Sequence, residues 1–162
     1  MKEILDKVTS YNLFNYLLPG TLFVVILDKF TQYSFIQDNL VIDAFVYYFA
    51  GLVVSRVGSL VIEPILKKLK FVKFAEYKNF VIASKSDLKL EDLSEANNMY
   101  RTFISMFVLL FVFKLYEIFA NRFVIFLNYE DFILILILLI MFAFSYRKQT
   151  AYIKGRVDAH KS

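Results

Sequence analysis

The chain has 162 residues, room for one domain, with no cysteine, a single histidine and a net charge of +4. Its hydrophobic fraction is 59% and its mean hydropathy +0.55, against roughly 45–50% apolar residues in soluble domains. A water-soluble protein of this size cannot bury that much apolar side chain, and disulfides, thiolate metal sites and a cysteine nucleophile are excluded.

A helix that crosses a bilayer needs roughly 20 predominantly apolar residues. Four segments answer to this, over about 11–30, 40–65, 102–120 and 130–146. The first opens with YNLFNYLLPGTLFVVIL, from Tyr11 to Leu27. Lys2 and Lys7 ahead of it suit a signal peptide, but no small-x-small cleavage site follows and the run ends at Asp28-Lys29, so it reads as a retained helix. Pro19 removes one backbone hydrogen bond and displaces the carbonyl of Asn15, which predicts a kink and leaves Asn15 to bond a neighbouring helix.

The second segment carries Gly51, Ser55 and Ser59 at four-residue intervals, with Gly58 on the same side. Small residues let helix backbones approach closely, so this face predicts packing within the chain or across a homo-oligomer interface. The same helix holds Asp43, Arg56 and Glu63. At about 100° per residue, Arg56 and Glu63 fall within about 20° of each other, and Asp43 points elsewhere. A charge at mid-bilayer costs roughly 2.5–3.5 kcal/mol, so it needs a partner, a water-filled cavity or a route by which to snorkel.

Residues 66–101 form the largest polar portion. Lys67, Lys68, Lys70, Lys73 and Lys78 alternate there with Phe71, Phe74, Phe80 and Val81, which suits a helix lying among anionic headgroups of the cytoplasmic leaflet. The adjacent bilayer explains this basic aromatic stretch better than nucleic acid does. Ser84 and Asp87 have capping-box spacing and predict a second helix from about Ser86 into the third span. Asp87, Glu91, Asp92 and Glu95 give that helix an acidic face, either solvated or a dock for a cytoplasmic protein partner. In the third span Lys114 and Glu117 stand one turn apart and permit a local ion pair. The fourth span has no ionisable residue from Phe132 to Tyr146, and the tail 147–162 predicts a helical continuation that frays after Gly155.

Lysine and arginine set the orientation. Fifteen lie in the N-terminus, the 66–101 segment and the tail, whereas the two opposite loops hold only Lys29 and Arg122. The expected fold is therefore an all-α, four-helix transmembrane bundle with a cytoplasmic helical hairpin between helices 2 and 3, both termini cytoplasmic, in a bacterial inner membrane. No phosphate-binding glycine loop, histidine-rich metal cluster, nucleophile elbow or carboxylate dyad can be assembled, so no catalytic residue, metal or cofactor is expected. The stretches YNLFNYLLPG, VSRVGSLVIEPILKK and EANNMYRTFISMF resemble those of small bacterial four-span proteins. Several proteins of this layout are membrane components of phage-defence operons, such as the membrane subunit of Kiwa or small transmembrane effectors of nucleotide-signalling systems. The resemblance implies an oligomeric component that perturbs or gates the membrane on a cytoplasmic or phage signal, or else a non-conducting sensor or anchor for a cytoplasmic effector. A small transporter is the reading unrelated to that family.

Overall fold

The computed structural model describes residues 12–87, 89–123 and 129–161, which are helical with no strand among them. Lys2, Lys7 and Tyr11, used above for orientation and the first boundary, lie outside the described residues. Five helices follow in order: α1 (Leu13–Phe30), α2 (Leu40–Lys68), α3 (Tyr77–Ala83), α4 (Lys89–Arg122) and α5 (Glu130–Lys161).

Three of these, α1, α2 and α4, are long and apolar enough to cross a membrane. The sequence leads one to expect four such helices, and α5 is not among the three. Glu130 and Asp131 on one side and Arg147 and Lys148 on the other confine its uncharged run to Phe132–Tyr146. At about 1.5 Å per residue that run covers roughly 22 Å, short of a hydrocarbon core of about 30 Å. Nearly all of its large side chains point outward, including Phe132, Ile135, Leu139 and Phe144, and only Met141 and Ser145 of its apolar stretch are buried. An apolar surface so extensive must be covered by something other than water.

α1 and α2 run antiparallel and cross closely. A Cβ on Gly20 would lie 1.8 Å from the Tyr47 carbonyl oxygen, and one on Gly51 would lie 1.8 Å from that of Tyr16. The contact is reciprocal: each helix offers a tyrosine carbonyl and, four residues later, the glycine that receives its partner's. Phe23, Val24 and Leu27 of α1, Val54 of α2 and Met106 of α4 form the buried core beside this crossing. α4 joins through a hydrogen bond from Ser105 Oγ to the Val54 carbonyl, 2.8 Å. Gly58 makes room for it, since a Cβ there would sit 3.3 Å from both the Arg101 carbonyl and Ser105 Cβ.

Two π-helical turns, Leu13–Leu17 and Gly58–Ile62, interrupt α1 and α2. Each ends two residues before a proline, Pro19 and Pro64. In each the closing N–H reaches back five residues, from Leu18 to Leu13 and from Glu63 to Gly58. Proline supplies no N–H and crowds the preceding turn, and an extra residue in that turn relieves the crowding. The distortion expected at Pro19 thus takes the form of a π turn. The second π turn also corrects the expected alignment of Arg56 with Glu63. One inserted residue rotates everything after it by about 100°, which takes the two off a common face.

The connection between α2 and α4 differs from a single headgroup helix followed by a capping box. α2 stops at Lys68, where Lys70 adopts the left-handed conformation at φ 58°. The N–H groups of Lys70 and Phe71 then return to the Lys67 and Leu66 carbonyls, closing the helix end. The predicted basic strip is therefore divided, with Lys67 and Lys68 ending α2, Lys70 and Lys73 in the non-helical stretch and Lys78 on α3. Ser84 closes α3, its Oγ donating to the Val81 carbonyl at 3.2 Å. At the start of α4 Asp87 accepts the Lys89 N–H at 3.0 Å. The tail does not fray at Gly155, because α5 continues to Lys161 and Tyr77 of α3 packs against Gly155 and Tyr152.

The glycine geometry gives opposite expectations at two positions. Gly51→Ala drives a methyl group into the Tyr16 backbone and lowers stability by at least 1–3 kcal/mol, about the usual cost of overpacking. Gly155→Ala places its Cβ 3.5 Å from the Tyr77 ring, an ordinary contact, and raises stability by about 0.5–1 kcal/mol through helix propensity. Thermal melting of the two variants in the same detergent checks the pair.

Candidate functional site

The most elaborate polar arrangement lies where α2, α4 and α5 meet, around Glu63. The carboxylate is nearly enclosed, its side chain 7% exposed, and three cations from three helices surround it. Lys67 Nζ lies 2.8 Å from Oε1, Arg101 Nη1 lies 2.6 Å from Oε2, and Lys148 Nζ lies 3.8 Å from Oε1. Enclosing a carboxylate is unfavourable unless partners satisfy it, and removing those partners from a buried pair costs roughly 3–5 kcal/mol.

Local backbone geometry explains why Lys148 belongs here. In the π turn the Glu63 N–H serves the Gly58 carbonyl, so it does not serve Ser59, its usual partner four residues back. The next N–H in the π register would come from residue 64, which is proline and has none. The Ser59 carbonyl is left without an intrahelical donor inside the packed junction. Lys148 Nζ donates to it at 2.5 Å and reaches Ser59 Oγ at 3.3 Å. One ammonium thereby satisfies a backbone acceptor that the helix cannot satisfy, and it holds α5 against α2. Burial pushes the Lys148 ammonium below the ordinary lysine range, and the Glu63 charge partly offsets this. Farther along the same contact, Phe49 and Phe142 stack with ring centres 6.1 Å apart.

A second polar knot closes the opposite end of the bundle. Lys114 pairs with Glu117 and also donates to the Phe30 carbonyl at 2.8 Å, while Glu117 Oε1 accepts the Gln32 N–H at 2.8 Å. The pair joins α4 to the last turn of α1 and the chain leaving it, which is a structural role. Asp43 braces the same connection by accepting the Gln37 N–H at 2.8 Å, and Asn39 caps α2.

The remaining predicted residues are placed as follows. Gly51 and Gly58 face α1 and α4, and Ser55 and Ser59 are buried on the same helix. Asn15 is 2% exposed inside the bundle. Arg56 is half-buried, and among the described residues no ion pair involves it. Asp87, Glu91, Asp92 and Glu95 are exposed at and after the start of α4, where a helix N-terminus favours negative charge. Lys68, Lys70, Lys73 and Lys78 are exposed, and Lys67 lies 4.0 Å over the Phe74 ring. Arg101 and Lys148 counted in the sequence only toward orientation. The signal that could have singled out Lys148 is Pro64, which withholds an N–H from a carbonyl about one turn before it.

Among the described residues no group of three or more His, Cys, Asp or Glu side chains could hold a metal. A groove lined by Leu17, Ala44, Phe45 and Tyr48 is almost wholly apolar and has no charged side chain to orient a substrate. No known family matches the chain, and no curated protein or solved structure does either.

The account of Lys148 predicts coupling with Pro64. Lys148→Met removes the donor to Ser59 and one charge partner of Glu63, and is expected to cost about 2–4 kcal/mol. Pro64→Ala returns an N–H to the backbone, so the same Lys148→Met change should cost at least about 1 kcal/mol less in that background. A double-mutant cycle by thermal or denaturant unfolding checks this, and strict additivity would contradict it.

Proposed function

We propose that this chain is a four-span membrane protein with both termini and residues 66–101 in the cytoplasm, acting as a non-conducting sensor or anchor that couples a cytoplasmic protein partner to the bilayer. The observation that carries this reading is the Glu63 junction. It ties α2 to α4 and α5, and both of those helices continue without a break beyond the apolar zone into the part of the chain that holds α3. A push on the polar lobe is thereby transmitted to three helices at once. The fifteen-to-two distribution of basic residues supports the orientation, and the uncovered apolar side of α5 supports a fourth, shorter span. The exposed acidic residues Glu91, Asp92 and Glu95 are the proposed docking face, and the lysines from Lys67 to Lys78 face anionic headgroups. A phage-defence setting rests on the resemblance of layout alone.

The alternative is an oligomeric component that gates the membrane. What favours it is the apolar side of α5, which a second copy can cover as well as lipid can. What weighs against a pore lined by α2 is that Gly51 and Gly58 are occupied by α1 and α4 within the chain, so assembly would need another surface.

The native chain lacks cysteine, which makes accessibility to a water-soluble thiol reagent a direct test. Ser86→Cys and Gln149→Cys should label only from the cytoplasmic side, Gln37→Cys only from the opposite side, and Ser55→Cys from neither. Labelling of Ser55→Cys would place water along α2 and favour the pore. Labelling of Gln37→Cys and Ser86→Cys from one side would overturn the topology.

A further inference from the structure

The Glu63 junction is not electrically balanced. One carboxylate faces Lys67, Arg101 and Lys148, and Arg56, on the same helix two turns earlier, adds a fourth cation without an ion pair among the described residues. The excess of positive charge sits where α2 emerges from its apolar stretch, so the solvation available to it is incomplete, and uncompensated charge at such a depth is unfavourable.

The cations that surround the carboxylate are themselves only partly covered. Lys67, Lys148 and Arg101 retain 44%, 27% and 19% of their side-chain exposure. These cations come from three helices and meet around Glu63, with the Phe74 ring under Lys67 and the Tyr152 ring 5.7 Å from Lys148. Planar guanidinium and ammonium donors side by side suit a tetrahedral oxyanion, whose several oxygens accept from different groups at once. Aromatic rings at the rim suit the boundary between headgroup and acyl chain.

We infer that the partly exposed Lys67–Arg101–Lys148 cluster, with Arg56 adding to its field, binds the phosphate of an acidic phospholipid headgroup, which neutralises the surplus charge of the junction. This site differs from a diffuse attraction of surface lysines, because its donors are fixed by Glu63 and by the Ser59 carbonyl before the lipid arrives. It rests on the reading of the chain as a membrane protein. In that setting an acidic lipid acts as a fourth component of the junction, holding α2, α4 and α5 together.

The test uses the full chain purified in a neutral detergent, with bound lipid counted by native mass spectrometry. Phosphatidylglycerol is titrated against phosphatidylcholine, and inorganic phosphate is titrated separately. Selective binding of phosphatidylglycerol is expected, and at roughly 1 kcal/mol per basic residue the double variant Arg56→Gln/Lys67→Gln should weaken it about 30-fold. Lys85→Gln, an exposed control between α3 and α4, should leave it within about twofold of the native chain. Equal retention of the two lipids, or an equal loss in the Lys85 variant, would overturn the site. Saturation by inorganic phosphate alone, or displacement of the lipid by a second copy of the chain, would overturn the assignment to a lipid. A chain that fractionates with membranes but shows no lipid preference sinks this inference alone, whereas recovery in the soluble fraction sinks the membrane reading beneath it.

Discussion

A carboxylate enclosed at the meeting point of three helices sets the terms for much of this structure. Glu63 cannot be held away from water without cations, and the chain supplies one from its own helix, one from α4 and one from α5. Each of these contacts is also a tether. Arg101 fixes where α4 enters the bundle, and Lys148 fixes the height of α5 against α2. Shared apolar packing alone leaves helices free to slide in a uniformly apolar surrounding, since one leucine contact there resembles another. Directional charge-assisted hydrogen bonds remove that freedom.

Proline and glycine prepare the ground for this junction and for the crossing of α1 and α2. Pro64 and Pro19 each follow a π turn, and the first of these leaves the Ser59 carbonyl for Lys148 to occupy. Gly20 and Gly51 bring two backbones so close that tyrosine carbonyls rest where side chains would stand. The two devices act along one helix. In its first half α2 is joined to α1 by close approach, in its second half to α4 through Gly58 and Ser105, and near its end to α4 and α5 by charge. α2 is thus the element around which the others are arranged, and the features most sensitive to substitution lie along it.

Much of this organisation is legible in the sequence, and the exceptions have physical reasons. Apolar runs and small-residue spacing pointed to α2 as the helix that packs closely, because period and side-chain size are local properties. The choice between α1 and a second copy as the partner of Gly51 depends on three-dimensional register, which spacing does not encode. Arg56 and Glu63 share a face only in an unbroken α-helix, and the residue inserted at Gly58–Ile62 removes that alignment. Glu63 finds its partners 38 and 85 positions away in Arg101 and Lys148, separations that no local rule reaches. α5 illustrates the reverse case: its composition suggests a span, yet it is not among the three helices long and apolar enough to cross a membrane. Its helix also persists past Gly155 because Tyr77 packs there, a tertiary contact that overrides a weak local propensity.

The meeting of α2, α4 and α5 depends on Glu63 being an ionised carboxylate held by its three cations. Infrared difference spectroscopy between the native chain and Glu63→Gln, both in detergent at neutral pH, isolates that single group. The junction described above predicts the loss of an ionised carboxylate band, with no change in the protonated carboxyl region. Loss of a protonated carboxyl band instead would mean that the group is neutral, and the charge junction on which the helices are arranged would not exist.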